Sequence, residues 1–338
     1  MRSTFFDAQV QQVLEHDGFA VIPFLDADEV ATLRASYDRL GRAPGDPGKA
    51  CISTFHTYDA DYKAATSEAI LEIFRPHIEA TFDRQRIIPC NFLVKWPGAA
   101  SGFGLHQDLS LVDEREHRSV EVWVALEDTN DQNGQLWFAP GSQSWVPTLR
   151  GIQMFPFAYG NVARRIIDRH SVPVPLKAGE AIVFNHATVH FSMPNRTDVP
   201  RLVAITDLIP VEAPHLHFFG DGRGAVDAYE IDESFWVDNN PFTLFTPPAA
   251  ARNLGRVDWF EYVECTDAIL DRMVAEGRAV ESTENPRGAV NSVKPWCHRC
   301  GGSEGVDELP DRWVGNTTFL CTTCAALEAN RSKAPAPV

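Results

Sequence analysis

Between about residue 86 and residue 210 the chain breaks into short β-rich runs with no helical spacing between them: RIIPCNFLVKW, VEVWVAL, QLWFAP, VPVPL, EAIVF and RLVAITDLI, punctuated by Gly, Pro and Asn. Strands this short and closely spaced leave no room for helical crossovers. They must pair with one another as a sandwich, jelly roll or barrel. The flank before them reads differently. Residues 7–16 have helical spacing, and 19–24 (FAVIPF) read as a strand. Asp26 followed by Glu29 forms a capping-box pattern for a helix to about Leu40, closed by Gly41. Residues 66–83 place Ile70, Leu71, Phe74 and Ile78 on one helical side, with Pro76 inside the run predicting a kink or a split. The expected class is mainly β with flanking helices.

Beyond the strands, residues 211–263 are rich in aromatics and turn formers and read as irregular structure: core-covering loops, or a lid or substrate wall. A helix is expected near 266–275, a polar linker over 276–295 and a disordered tail in RSKAPAPV. The 338 residues carry 30 Lys and Arg against 46 Asp and Glu, a formal charge of −16. That balance disfavours nucleic acid and anionic membrane surfaces, both of which need a basic face. No stretch approaches the roughly 20 apolar residues of a membrane span, and no apolar signal segment follows the N-terminus. A cytoplasmic protein is therefore expected, and Cys51, Cys90 and Cys265 fit a reducing compartment.

The segment LHQDLS holds His106 and Asp108 two residues apart. On a strand, such residues share a face about 6.6 Å apart and can converge on one ion. Downstream, residues 179–202 read as strand, turn, strand and supply His186, His190, Ser192, Arg196 and Arg201. Two histidines and one carboxylate make the facial triad of non-haem Fe(II) oxygenases. His186 and His190 would lie about 13 Å apart in an extended strand, so one ion can take only one of them. His190, heading the next strand, is preferred, and His186 in the turn is its rival. Chemistry of this kind needs a two-electron donor, usually 2-oxoglutarate, whose distal carboxylate suits the planar fork of an arginine. Arg201 heads RLVAITDLI and is preferred; Arg196 in NRTDVP is the alternative.

LHQD, then EVWVALEDTNDQNGQLWFAPGS, then HFSMPNRTDVPR together resemble the phytanoyl-CoA dioxygenase family of Fe(II)/2-oxoglutarate oxygenases, over roughly residues 8–210. The resemblance implies a double-stranded β-helix (jelly roll or cupin) core buttressed by N-terminal helices. It implies His106, Asp108 and His190 as iron ligands and Arg201 as the anchor of 2-oxoglutarate. It also implies that Ser192 assists at the same carboxylate and that Gln107 and Trp123 line the co-substrate pocket. Gly134 and Asn195 match positions with structural roles. Related halogenases have Ala or Gly where Asp108 stands, so hydroxylation or another hydrogen-abstraction outcome is expected over halogenation. An acidic chain suits a CoA nucleotide poorly. The expected substrates are O2 and a free small molecule, an amino-acid derivative or secondary-metabolite intermediate. A non-catalytic cupin-like binding protein, or an adaptor that senses 2-oxoglutarate, is the alternative.

Cys297-His-Arg-Cys300 and Cys321-Thr-Thr-Cys324 form two C-x2-C knuckles separated by twenty residues. This spacing predicts a structural Zn(II) site, with a rubredoxin-like iron site as the competitor. The expected organisation is an oxygenase domain over 1–285, a zinc-ribbon-like module over 286–328 that could meet a protein partner, and a tail over 329–338.

Overall fold

The structure is a computed structural model, and it describes residues 1–44, 51–98, 101–151, 157–220, 225–240, 247, 251–282, 306–310 and 317–321. The N-terminal part runs α1 (Ala8–Asp17), β1 (Phe19–Pro23), α2 (Ala27–Leu40), β2 (Cys51–Ser53), α3 (Ala60–Thr81) and β3 (Gln85–Ile87). The middle runs β4 (Asn91–Lys95), β5 (Phe103–His106), β6 (Val120–Ala125), β7 (Leu136–Phe138), α4 (Ala163–Arg169), β8 (Val172–Val174), β9 (Glu180–Asn185), β10 (His190–Ser192) and β11 (Arg201–Pro210). Then come β12 (Leu216–Gly220), β13 (Val226–Glu230), α5 (Ser234–Asp238), β14 (Arg252–Arg256), α6 (Asp267–Ala275), β15 (Val306–Pro310) and β16 (Thr317–Cys321).

Two antiparallel sheets carry the architecture. The larger has the order β1-β9-β6-β11-β4-β2, with β3 also on β11; the smaller has the order β5-β10-β7-β8. The period-two alternation of β6 shows how they are packed. Val120, Val122 and Val124 face a core shared with Leu33 of α2 and Ile70, Phe74 and Ile78 of α3. Trp123 and Ala125 face the other way, into a core shared with Leu136 and Phe138 of β7, Val174 of β8 and Phe184 of β9. The helices therefore cover the outside of the larger sheet, and the second core lies between the sheets. The outside of the smaller sheet is covered by α4 and α6, through Ile166, Leu270 and Met273 against Trp137 and Phe191. This mixed α/β arrangement with antiparallel sheets is consistent with the expected jelly roll.

The helix starts follow their capping residues. Asp26 and Glu29 make both halves of the capping box that opens α2. Asp59 accepts from the Tyr62 amide and opens α3 six residues earlier than its apolar spacing suggests. Pro76 neither splits nor ends α3. Pro76 and Glu72 both lie on the exposed side of the helix. The Glu72 carbonyl that proline leaves without an amide partner is thus within reach of water.

Residues 211–263 depart from the irregular reading. They contain an antiparallel sheet of order β12-β13-β14 and the short α5. Aromatics and turn formers masked the alternation of β12, where His217 and Phe219 oppose Leu216 and Phe218. His215 and His217 are buried beside Trp236. His215 accepts from the Trp236 indole at 3.2 Å, whereas neither ring nitrogen of His217 has a hydrogen-bond partner among the described residues.

Burial pushes both imidazoles down to about 3. An unfolded histidine titrates near 6.5. Between roughly pH 6.5 and 3 the unfolded chain therefore binds more protons than the native one. Stability falls as pH falls through that window, by up to about 1.4 kcal/mol per pH unit for each histidine, and these groups leave it flat above. His217→Leu should remove about one proton's share of the slope between pH 6.5 and 5 in a series of thermal melts. An unchanged slope would show that His217 takes up its proton without unfolding.

The segment after α6 is not a free linker at its start. Trp145 Nε1 donates to Arg278 O at 2.8 Å, His170 Nδ1 to Val280 O at 2.9 Å, and Ser282 N to Arg169 O at 2.7 Å. Cys297, Cys300 and Cys324 lie outside the described residues. Cys321, the first cysteine of the second knuckle, ends β16, which pairs antiparallel with β15. No helix among the described residues is long and apolar enough to cross a membrane.

Candidate functional site

His106 ends β5 and His190 begins β10, and the two are register partners across the smaller sheet, with ring centroids 4.1 Å apart. Asp108 does not share their strand. β5 stops at His106, and Asp108 comes round in the loop that follows. That loop is fixed by four hydrogen bonds. Asp108 N donates to His186 O at 3.0 Å, Gln107 Nε2 donates to Ala187 O and Thr148 Oγ1, and Arg150 Nε donates to Asp108 O at 2.8 Å. Arg150 is itself held by both oxygens of Glu114.

The ligand atoms of His106, Asp108 and His190 all lie within 4.8 Å of one another. His106 Nε2 is 3.7 Å from Asp108 Oδ1, and His190 Nε2 is 3.6 Å from Asp108 Oδ2. Carbonyl oxygens set the tautomers. His106 Nδ1 donates to Gly104 O at 2.8 Å and His190 Nδ1 to Thr188 O at 3.0 Å, so each Nε2 lone pair is free to face Asp108. Asp108 Oδ2 is buried without a hydrogen-bond partner among the described residues. Burial, aided by His190, pushes the His106 imidazole down to about 3, which keeps it neutral. Burial alone would raise the Asp108 carboxyl, but His190 and His106 outweigh it and hold the group below its ordinary value. Two imidazoles whose Nε2 atoms converge on a carboxylate with an orphaned oxygen fit a divalent cation of borderline hardness. Phe138 stacks on the His190 ring at 5.3 Å, and Phe103 meets His106 edge-on at 4.5 Å.

His186 stands outside this cluster. Its Nδ1 is 2.8 Å from Ser119 Oγ and its Nε2 is 3.0 Å from Asp207 Oδ1. Burial opposes its charge, but Asp207 prevails and raises its pKa.

Deeper between the sheets, Arg201 is 1% exposed at the head of β11. Its guanidinium lies 5.0 Å from the Trp123 ring centroid and donates through Nη1 to Gly134 O. Its Nε is buried without a partner among the described residues, and burial lowers its pKa to about 10. Ser192 lies one strand position past His190 in alternation, on the same face. Arg196 is only half-buried. Gly134 has φ +80°, and a Cβ there would come within 2.4 Å of Met193 O. Asn195 holds the turn after β10 by donating to Lys95 O at 3.0 Å and Val199 O at 2.7 Å.

Several residues near the site escape a sequence reading. Lys95 is fully buried on β4, opposite Arg201 in register. Asp207 and Glu121 are register partners on β11 and β6, near Asp108. Burial, reinforced by Asp108 and Asp207, raises the Glu121 carboxyl well above its usual range. The available signal was parity: Glu121 shares a strand face with Trp123, and Asp207 shares one with Arg201.

Residues 14–203 match the family model described as phytanoyl-CoA dioxygenase (PhyH). The chain is 30% identical over 154 residues to phytanoyl-CoA dioxygenase domain-containing protein 1 of Danio rerio, covering 44% of this chain and 52% of that one. It is 26% identical over 218 residues to methylphosphonate hydroxylase of Gimesia maris, covering 60% of this chain and 79% of that one. The chain spans about half the length of the phytanoyl-CoA dioxygenase relatives it matches. Among solved structures, the epimerase SnoN in complex with Fe3+, alpha ketoglutarate and nogalamycin RO is 21% identical, with a TM-score of 0.47, covering 73% of this chain and 94% of that one.

Proposed function

The chain belongs to the phytanoyl-CoA dioxygenase family, and from that premise we propose that it is an Fe(II)- and 2-oxoglutarate-dependent oxygenase that hydroxylates an unactivated C–H bond of a small molecule. The observation that carries this reading is the convergence of His106, Asp108 and His190 within 4.8 Å, together with the buried Arg201, whose Nε has no hydrogen-bond partner among the described residues. Overall, substrate C–H, O2 and 2-oxoglutarate would give C–OH, succinate and CO2. His106 Nε2, His190 Nε2 and the Asp108 carboxylate would hold the iron, which when bound supplies the activation of O2.

The protein's own residues do the rest. Arg201 meets the distal carboxylate of 2-oxoglutarate, Ser192 donates to it, and Trp123 packs over the guanidinium. Gln107 fixes the loop that presents Asp108. Asp207 and Arg201 share one face of β11 six residues apart, about 20 Å along the strand. The end near Asp207, Glu121 and His186 is thus left for the substrate, where polar groups can orient it by hydrogen bonds. Asp108 fills the position that chloride would need, which disfavours halogenation. The test is Fe(II)-loaded full-length protein with 2-oxoglutarate, O2 and a panel of amino-acid derivatives, secondary metabolites and acyl-CoA thioesters. Succinate release coupled to one class supports the reading. Absence of both 2-oxoglutarate binding and succinate formation overturns it.

Residues 286–328 are proposed as a separate zinc-ribbon-like module, supported by the C-x2-C spacing and by the antiparallel β15–β16 pair that ends on Cys321. Protein stripped of its weaker iron by mild chelation should retain about one zinc per chain, because closed thiolate sites hold zinc tightly. Cys297→Ser should lower the zinc content while iron binding survives. Complete loss of iron from folded Cys297→Ser protein would make the module integral to the oxygenase. A zinc-free wild type with ferric-thiolate absorption would instead point to a rubredoxin-like site.

A further inference from the structure

Lys95 and Arg201 face each other across β4 and β11, and both side chains are essentially inaccessible, at 0% and 1% exposure. Two buried cations in register repel each other. No carboxylate forms an ion pair with either among the described residues. Such an arrangement is costly unless an anion completes it. Burial, with Arg201 adding to it, pushes the Lys95 ammonium down to about 7.

The geometry gives Lys95 a definite task. Its Nζ donates to Ser192 Oγ at 2.7 Å and to Met193 O at 2.8 Å. A hydroxyl whose oxygen accepts from an ammonium cannot donate back to it, because an ammonium has no acceptor. While Lys95 holds its proton, as a bound dianion beside it would favour, the Ser192 proton therefore points elsewhere. Gly134 links the two cations: its carbonyl accepts from Arg201, and a Cβ there would come within 2.8 Å of Lys95 Cδ. The bare glycine lets the lysine stem pass beside the carbonyl that fixes the guanidinium.

We propose that Lys95 is a positioning residue of the co-substrate pocket, whose ammonium locks Ser192 Oγ as an acceptor and so turns the Ser192 proton toward the distal carboxylate held by Arg201. This rests on the 2-oxoglutarate reading above. Ser192 alone could rotate its proton toward any nearby acceptor; with Lys95 in place it is a preset donor, and the ammonium adds positive charge behind it.

The test is calorimetric binding of 2-oxoglutarate to full-length protein loaded with Mn(II) in place of iron, so that no turnover is needed. 2-Oxopentanoate, which keeps the keto-acid end but lacks the distal carboxylate, serves as the comparison ligand. Lys95→Met should weaken 2-oxoglutarate binding by about 10- to 100-fold, the size expected for losing a charge-assisted hydrogen bond. Binding of 2-oxopentanoate should change by less than about 3-fold, within ordinary context scatter. Lys95→Arg, which keeps charge and donors, should recover most of the loss. Because Lys95 acts through Ser192, the Lys95→Met/Ser192→Ala protein should bind less weakly than the product of the single losses predicts. If Lys95→Met loses its cooperative melt, Ser192→Ala is read with the same two ligands and the same expected selectivity, while Lys95→Arg should bind both ligands close to the wild type. Equal losses for both ligands, unchanged 2-oxoglutarate affinity or fully multiplicative losses would overturn the role of Lys95 alone. A wild type that binds neither ligand would overturn the parent reading, and this one with it.

Discussion

Asp108→Ala should leave a folded protein that no longer holds iron under assay conditions and no longer hydroxylates. The substitution removes one of three converging ligands and the orphaned Oδ2 that a cation would satisfy. Losing a supporting contact to a metal ligand already costs about 10- to 100-fold in affinity, so losing the ligand itself should exceed about 100-fold. His190→Ala should behave alike. His186→Ala should keep iron and measurable turnover, because both ring nitrogens of His186 are engaged with Ser119 and Asp207 rather than facing the cluster. Metal content of the purified variants, set beside succinate formation, is the check. The reverse pattern, with His186→Ala dead and His190→Ala active, would reassign the third ligand.

Arg201→Lys should weaken 2-oxoglutarate binding by roughly 10- to 150-fold, the equivalent of about 1.5–3 kcal/mol for a charge-assisted bidentate contact. An ammonium cannot reproduce the fork, cannot stack on Trp123 in the same way and shortens the reach to Gly134 O. Arg196→Lys should change little, since its side chain is half-exposed and lies in the turn after β10. Apparent KM for 2-oxoglutarate, with kcat measured at saturation, separates the two residues. Equal effects at both positions would remove the basis for assigning the anchor to Arg201.

Much of the fold is legible in the sequence, for local reasons. The capping box at Asp26 and Glu29 is complete within four residues, and the alternation of VEVWVAL is complete within seven. The triad was partly legible in the same way, because H-x-D is a short-range pattern. Its geometry was not. Strand parity suggested that His106 and Asp108 project from one strand, whereas Asp108 is delivered by a loop that hangs on His186 O, Ala187 O and Arg150. Those anchors are about 40 and 80 residues away, and no local periodicity encodes them.

Lys95 was hidden for a related reason. A lysine ending NFLVK reads as a solvated strand end until its partner strand is known, and only the pairing with β11 buries it against Arg201. The β12–β14 sheet was obscured because its strands are short and turn formers crowd the segments between them, and its edge strand β14 is exposed throughout. With no apolar face to repeat, β14 leaves no alternation to find.

The return of residues 278–282 onto the smaller sheet bears on how this chain can be cut. The indole N–H of buried Trp145 has its acceptor on Arg278, and His170 has one on Val280. A truncation placed at the end of α6 would leave both donors without those acceptors, at a cost of about 1–3 kcal/mol for each that stays buried and unsatisfied. It would also uncover Ala279, which is 4% exposed against the core of α4 and α6. A minimal catalytic fragment designed from helix ends alone would therefore be a destabilised protein, and any weakness in its iron binding could be mistaken for dependence on the cysteine-bearing tail. The first defensible cut lies after Ser282, where the last of these tethers is complete.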